Sequence, residues 1–163
     1  MNPRIRGLHH NACLCSDTGR TRWFYEDFLG LPLVAAFEIG ETKTGRKTMA
    51  LHSFFRMGDG SALAFFEVPG MPFDFKPQHD YDLHIALEVE RDVLEPMMER
   101  ARAAGIEVRG ISDHGFIHSI YLRDPDGYVV ELTARTSQAE PPLEEAVAAA
   151  HETLARWQLD RVR

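Results

Sequence analysis

Three side chains that lie far apart in the sequence have types suited to holding one divalent metal ion: His10, His84 and Glu131. Two imidazoles with one carboxylate suit a borderline ion such as Fe(II), Mn(II) or Zn(II). His10 and His84 each stand early in a strand-like run, where side chains alternate between faces, so His10 shares its face with Ala12 and His84 with Ala86. If the two runs open two like modules that pair about an approximate twofold axis, both imidazoles can share one ion and Glu131 adds a carboxylate. Open positions on that ion then take substrate.

The elements that must position these residues follow the same order twice along the chain. The first half shows a strand at 5–15 and a helix at 17–30 that Asp17 caps and Gly30 ends. Three strands follow, at 32–39, 47–57 and 61–68. After a connector rich in Pro and Gly, the second half shows the same order of elements. A strand at 82–90 precedes a helix at 91–104 that ends at Gly105, and three strands follow at 106–111, 116–123 and 128–134. We therefore predict an α+β fold of two paired βαβββ modules, 5–68 and 82–134, which form an open cupped mixed sheet around the metal within one domain, 1–136.

A C-terminal extension, 137–163, follows this domain. From about residue 142 its apolar residues recur at spacings of four and three, which predicts a helix with one apolar face. They are Leu143, Val147, Ala150, Leu154 and Trp157. This face packs on its own domain or on a second subunit, so the sequence leaves open whether the chain forms a homodimer.

Composition excludes several classes of function. The 163 residues are 44% hydrophobic and 26% charged, which is typical of one folded domain. The formal charge of -7 leaves no broad basic face for nucleic acid or an anionic membrane. The two cysteines, Cys13 and Cys15, are too few for a cysteine zinc site and read as buried apolar residues. With no signal-peptide pattern, we expect a cytoplasmic protein.

Four stretches of the chain resemble the vicinal oxygen chelate superfamily, which contains glyoxalases, extradiol ring-cleaving dioxygenases, epimerases and bleomycin or fosfomycin resistance proteins. They are 7–12, 24–31, 83–89 and 120–132. The last is the most specific, because Asp124 to Gly127 forms a hairpin turn before the strand that bears a carboxylate. The resemblance puts His10, His84 and Glu131 on the metal positions, with His9 as the fallback ligand, and it favours an enzyme.

Within the superfamily the His, His, Glu set is similar to the ferrous site of extradiol dioxygenases. Tyr121 stands ten residues before Glu131, the spacing at which those enzymes carry a tyrosine that orients substrate oxygen. Those enzymes have catalytic histidines where this chain has Ser112 and Ser61, so another histidine must act as acid or base. We assign that role to His114, in a loop at the expected cavity mouth; the other histidines nearby in sequence are His52 and His118. The resemblance thus implies an Fe(II)-dependent dioxygenase that acts on a small aromatic diol with O2.

Two other functions remain open. Glu67 lies near the position of a fourth ligand in glyoxalases; a fourth ligand predicts a glyoxalase-like or epimerase-like lyase or isomerase with Mn(II), Zn(II), Ni(II) or Co(II). The other alternative is a protein that sequesters a small molecule without turnover. In each case we expect an aromatic wall around the ligand. Its expected members are Phe54, Phe65, Phe66 and Phe116.

Overall fold

Each half of the chain forms a four-stranded mixed sheet in which the first strand of the module pairs in parallel with the last. The computed structural model describes residues 6–74, 79, 81–138 and 141–160. The first sheet has the order β1-β4-β3-β2, and the second repeats it as β5-β8-β7-β6. This repetition confirms the predicted α+β fold of two βαβββ modules.

The elements begin and end close to the predicted bounds. The first module contains β1 (His10–Leu14), α1 (Thr18–Arg22), a π-helical turn (Trp23–Phe28), β2 (Leu33–Glu41), β3 (Lys47–Arg56) and β4 (Ala62–Glu67). The second contains β5 (His84–Glu88), a 3-10 turn (Arg91–Val93), α2 (Leu94–Ala103), β6 (Val108–Asp113), β7 (Ile117–Arg123) and β8 (Val129–Arg135). The final helix is α3 (Leu143–Asp160).

The first helical segment begins and ends where its local chemistry requires. The Asp17 carboxylate accepts a hydrogen bond of 2.8 Å from the backbone N–H of Arg20, which caps α1 as predicted. The π-helical turn then buries Phe24, Tyr25 and Phe28. Gly30 has φ +85°, a conformation that favours glycine, and it ends the helical segment.

One apolar core joins the two modules. It contains the aromatic residues of the first helical segment and the helix-facing side chains of both sheets and of α2. Its fully buried members include Phe24, Tyr25, Phe55, Leu63, Leu94, Ile120, Leu122 and Val130. Since each strand turns alternate side chains into this core, the intervening ones lie on the opposite, open face of each sheet.

The hairpin turn before β8 is held by the first module. The Tyr25 hydroxyl donates to the Asp124 carboxylate at 3.0 Å, and the backbone N–H of Ser16 donates to Asp126 at 3.0 Å. The Tyr128 hydroxyl donates to the carbonyl of Leu14 at 2.9 Å. The turn that starts the carboxylate-bearing strand is therefore fixed by both modules.

Helix α3 stands apart from the core. Ala146 is half-buried, and every other described side chain of the helix is exposed. The backbone N–H of Ala146 donates to the carbonyl of Pro142 at 3.0 Å in the first turn. Across the described ranges of the chain, no helix has the length and apolar character needed to cross a bilayer.

Candidate metal and acid–base site

Two of the three predicted metal ligands lie together on the open face of the second sheet. His84 Nε2 is 3.1 Å from Glu131 Oε2. They meet because β5 and β8 run parallel, with Ala86 directly opposite Glu131 and His84 two residues earlier on the same face. The Glu131 carboxylate is buried and 7% exposed, whereas the imidazole is 40% exposed. A buried carboxylate beside an accessible imidazole suits a divalent ion, because burying an anion is costly unless a cation or donor offsets it.

The third predicted ligand, His10, has a different surrounding. Its Nδ1 lies 2.7 Å from Nδ1 of His9, and its ring contacts those of His52 and Phe54, all in the first module. Within the described part of the chain, no group of three or more His, Cys, Asp or Glu side chains is placed to hold a metal ion. The expectation that one chain gathers all three ligands is therefore not met in this arrangement, and His10 stays a predicted ligand.

Tyr121 and His114 form a pair beside Glu131. The Tyr121 hydroxyl and His114 Nε2 lie 3.0 Å apart, and Tyr121 is directly opposite Glu131 across β7 and β8. Burial raises the pKa of the Tyr121 phenol above its usual value, and the neighbouring Glu131 carboxylate raises it further. The phenol is therefore neutral at neutral pH and is available as a hydrogen-bond donor.

The loop that carries His114 is fixed from two sides. The backbone N–H of His114 donates to the carbonyl of Ile117 at 3.0 Å. The Thr136 hydroxyl donates to the carbonyl of Gly115 at 2.9 Å, and its N–H donates to Phe116 at 2.9 Å. Because Thr136 follows β8 directly, the strand that bears Glu131 also sets the position of His114.

Arg109 is a site residue that the sequence reasoning missed. It is directly opposite Tyr121 across β6 and β7, and its guanidinium lies 5.1 Å from the centre of the Tyr121 ring. This cation favours the ionised phenol and partly offsets the effects of burial and Glu131 on the pKa of Tyr121. No motif marks Arg109, because the strand register alone brings it to Tyr121.

The open face of the first sheet is aromatic around His10. His52 stacks on Phe66 with ring centres 3.6 Å apart, and Phe54 lies 4.3 Å from His52. Phe37, directly opposite His52, extends this face and is 56% exposed. We call these five residues, His10 included, the aromatic face.

Two predicted site residues in β4 point the other way. Glu67 Oε2 accepts a hydrogen bond of 2.7 Å from the backbone N–H of Thr18, so its carboxylate caps α1 on the helix side of the sheet, and a fourth ligand at Glu67 stays the open alternative that the sequence offered. Phe65 is 3% exposed and packs on Tyr25 in the core, with ring centres 4.6 Å apart. Both placements have one cause: residues 65 and 67 share the helix-facing side of β4, and Phe66 between them faces outward.

His118 is also turned away from the pair of ligands. It shares its side of β7 with the buried Ile120, and its ring contacts Asp113 at 3.4 Å and Arg91 at 3.1 Å. Phe116 is 57% exposed at the tip of the loop that bears His114. It lines a cavity of about 820 Å³ between that loop and the beginning of α3, not the aromatic face.

The model of the Glyoxalase/Bleomycin resistance protein/Dioxygenase superfamily matches residues 7–132. The chain belongs to this superfamily. The match confirms the vicinal oxygen chelate resemblance; an extradiol-like subtype is not distinguished by it. Members of the superfamily are generally metal-dependent enzymes.

The similar proteins include fosfomycin resistance proteins and glyoxalase-like proteins. Metallothiol transferase FosB from Shouchella clausii is 29% identical over 138 residues, which cover 81% of this chain and 82% of that protein. A glyoxalase/dioxygenase from Nostoc punctiforme has a similar fold, with a TM-score of 0.64 and 20% identity. The match covers 84% of this chain and 96% of that protein. The fosfomycin resistance protein FosX from Listeria monocytogenes, complexed with Mn(II) and sulfate, gives a TM-score of 0.56 and 21% identity. The match covers 82% of this chain and 95% of that protein.

Proposed function

We propose that the chain is a metal-dependent enzyme whose divalent ion is held by His84 and Glu131 together with His10. The observation that supports this most is the composition of one sheet face. A buried carboxylate lies 3.1 Å from an imidazole, and a phenol paired with a second imidazole stands directly opposite the carboxylate. Ligands and acid–base groups on adjacent strands are typical of a catalytic centre.

The ion, when bound, supplies Lewis acidity that polarises an oxygen of a chelated substrate. The protein side chains then orient the substrate and move its proton. Tyr121, neutral because its pKa is raised, donates a hydrogen bond to a substrate oxygen that gains negative charge. His114 Nε2 lies within hydrogen-bond distance of the phenol and exchanges a proton with it.

For the substrate we propose a small planar aromatic diol, and for the reaction a dioxygenation of the extradiol type. The aromatic face supports a flat substrate, because Phe54 beside His10 and Phe66 beside His52 offer apolar ring surfaces. The Tyr121 donor beside Glu131 supports a substrate with oxygens to orient. Fe(II) is then the first ion to test, and Mn(II) the second.

A second candidate is the chemical modification of a small phosphonate such as fosfomycin. It is favoured by the 29% identity with metallothiol transferase FosB and by the FosX fold, one structure of which holds Mn(II) and 1S,2S-dihydroxypropylphosphonic acid. In this chain the Arg109 guanidinium, 5.1 Å from the ring of Tyr121, offers a positive charge to such an anion.

The two candidates are separated by reconstituting the full chain anaerobically with Fe(II) or with Mn(II). Oxygen uptake is followed over a panel of catechols, and fosfomycin consumption is followed with a thiol and with water alone. We expect metal-dependent oxygen uptake with at least one catechol. Fosfomycin consumption without oxygen uptake would replace the first candidate by the second.

Two variants test the residue roles. Glu131→Gln is expected to abolish tight metal binding, measured by calorimetry. Tyr121→Phe is expected to keep the metal and to lower kcat by about a hundredfold, since it removes one hydrogen-bond donor to developing charge. Tyr81→Phe is the matched control, because Tyr81 is 93% exposed and lies outside the site. Full activity of Tyr121→Phe, or metal-independent turnover, would contradict the proposal.

A further inference from the structure

The C-terminal extension begins against the loop that carries His114. The backbone N–H of Thr136 donates to the carbonyl of Phe116 at 2.9 Å, and the Thr136 hydroxyl donates to the carbonyl of Gly115 at 2.9 Å. The backbone N–H of Gln138 then donates to the Thr136 hydroxyl at 3.3 Å. These three hydrogen bonds fix the place where the extension leaves the domain, directly beside the loop.

A cavity of about 820 Å³ lies between this loop and the first turn of α3. Small-molecule sites usually have volumes of about 300 to 1,000 Å³. Most of the wall is apolar, with Phe116 from the loop and Pro141, Leu143 and Ala146 from the extension. Phe116 is 57% exposed and Leu143 is 78% exposed, so both offer apolar surface that a ligand can cover.

His114 connects this cavity with the candidate site. Its imidazole lines the cavity, and its Nε2 lies 3.0 Å from the Tyr121 hydroxyl. Tyr121 in turn is directly opposite Glu131 across β7 and β8. A molecule held at Tyr121 therefore reaches the cavity by passing a single side chain, that of His114. This continuity favours a substituent of the same substrate as the occupant.

The wall also determines which kind of substituent fits. The polar side chains among its described residues, His114 and Gln138, offer hydrogen bonds but no fixed charge. A phosphonate or carboxylate is poorly suited to this wall, because an anion that leaves water needs a cation or several donors. An uncharged alkyl or aryl group is well suited, since it gains free energy from each apolar surface that it covers.

Half of this cavity lies outside the part of the chain that matches the superfamily. The superfamily model ends at residue 132, whereas Gln138, Leu143 and Ala146 come after it. The extension thus adds a wall beside the acid–base pair that the common fold does not supply. Residues that contact a substrate only through such an added wall affect which substrate is preferred.

We propose that this cavity binds an uncharged alkyl or aryl substituent of the substrate, and that the extension thereby makes the candidate site specific for diols that carry one. Phe116, Leu143 and Ala146 contact the substituent, while Tyr121 and His114 act on the diol oxygens. The proposal rests on the proposed function for the diol, and on the cavity alone for the apolar substituent.

Turnover tests the specificity. Oxygen uptake by the full chain loaded with Fe(II) is measured with catechol and with 4-butylcatechol. We expect kcat/KM to be at least about tenfold higher with the butyl compound, because its chain is buried in the cavity. Ala146→Trp fills the cavity and is expected to bring the ratio of the two kcat/KM values close to one. Ala148→Trp is the matched control, because it makes the same change at an exposed position on nearly the opposite side of α3 and should keep the ratio.

Binding without turnover tests the cavity separately. The probe is N-phenyl-1-naphthylamine, an uncharged aryl compound whose fluorescence rises in apolar surroundings, added to the metal-free full chain. We expect saturable binding that shifts the NMR signals of the His114 imidazole and that 4-butylcatechol displaces. Ala146→Trp and Leu143→Asp should each weaken it by at least about tenfold, whereas Ala148→Trp should not. Leu143 is exposed, so Leu143→Asp should leave the circular dichroism unchanged and separate loss of the cavity from loss of the fold.

The outcomes separate this proposal from the proposed function. Absence of saturable probe binding, binding that leaves the His114 signals unmoved, or equal kcat/KM ratios in Ala146→Trp and Ala148→Trp would each overturn the specificity proposal. Probe binding that weakens as the chain concentration rises would show that a second copy fills the cavity, and would overturn it as well. Oxygen uptake with no catechol, together with probe binding that Ala146→Trp and Leu143→Asp weaken, would refute the dioxygenation and uphold the cavity as a site for an apolar group.

Discussion

At the scale of single residues, Asp124 links the two modules and also builds the turn before β8. Its carboxylate accepts hydrogen bonds from the Tyr25 hydroxyl at 3.0 Å and from the backbone N–H groups of Asp126 at 2.9 Å and Tyr128 at 2.8 Å. Burial outweighs these three donors and raises the pKa of Asp124 to about 6 from the ordinary 3.8. The folded protein therefore holds a proton on Asp124 that the unfolded chain has already lost at the same pH.

This pKa predicts how stability depends on pH. Because the folded pKa is raised, the contribution of Asp124 is fully present below about pH 4 and is lost as the pH rises through about 6. The loss is on the order of 2 to 3 kcal/mol in the free energy of unfolding. Asp124→Asn should remove this part of the pH dependence in urea titrations between pH 4 and 7. The control Asp126→Asn, in the same turn, should keep it, and an unchanged slope in Asp124→Asn would contradict the assignment.

The residue scale also shows why the sequence alone does not tell which side chains of β4 face the site. In β4 the sequence reasoning left open whether Glu67 or Phe66 faces the site. The structure resolves this through Thr18, whose N–H binds Glu67 on the helix side, and through Phe65, which is in the core. An apolar run of this kind does not reveal its own face, because both sides of the strand accept aromatic residues.

At the scale of elements, the approach of β6 to β7 depends on Gly110. Its φ is +123°, and a Cβ there would lie 2.6 Å from the backbone oxygen of Ser119 and 3.1 Å from Cα of Ile120. Both atoms belong to the adjacent strand and cannot move aside as a flexible side chain does. Glycine is therefore required where β6 brings Arg109 opposite Tyr121.

Gly110→Ala should destabilise the protein by about 1 to 3 kcal/mol, because the backbone strain and the contact with Ser119 add up. It should also lower activity in whatever folded protein remains, since β6 must move away from β7 and carries Arg109 with it. Gly40→Ala in β2 is the control, because nothing lies within 4 Å of a Cβ there and its φ is ordinary. Equal melting temperatures of the two variants would show that β6 relaxes freely.

At the scale of the whole molecule, the predicted ligands are divided between two surfaces. The aromatic face with His10 belongs to the first module, and the pair of His84 and Glu131 belongs to the second. No group of three ligands forms within the described residues, while the open faces and α3 leave apolar side chains exposed. One arrangement that would bring His10 to this pair is a site shared between two copies of the chain.

Mixing two inactive variants tests that arrangement. His10→Ala and Glu131→Gln should each lose metal-dependent activity when alone. If His10 acts in the site of the other copy, a mixed dimer contains one site with both native ligands, and roughly a quarter of the normal activity returns after subunit exchange. If all three ligands act within one chain, no mixed dimer has an intact site. Activity that stays absent after proven exchange would therefore refute the shared site.

The sequence alone determined the order of the elements, the superfamily and the meeting of His84 with Glu131. The order of the elements follows from local rules: alternation along strands, a cap at Asp17 and a glycine at Gly30. The superfamily, and with it the pairing of His84 with Glu131, is implied by the resemblance of the four stretches, of which the one with the hairpin turn before β8 is the most specific. When β5 pairs in parallel with β8, few registers of the two strands are possible, because a slip of one residue would turn the buried face of a strand to solvent.

Only the tertiary structure decided which side chains lie near those two ligands. Arg109 reaches Tyr121 through strand register, His118 turns to the helix side, and His10 lies among aromatic rings of its own module. Such contacts depend on how separate elements pack, and no local pattern encodes them, because one side-chain alternation fits several packings. The same reason explains α3: its sequence shows an apolar seam, and only the fold shows that the described core leaves the seam uncovered.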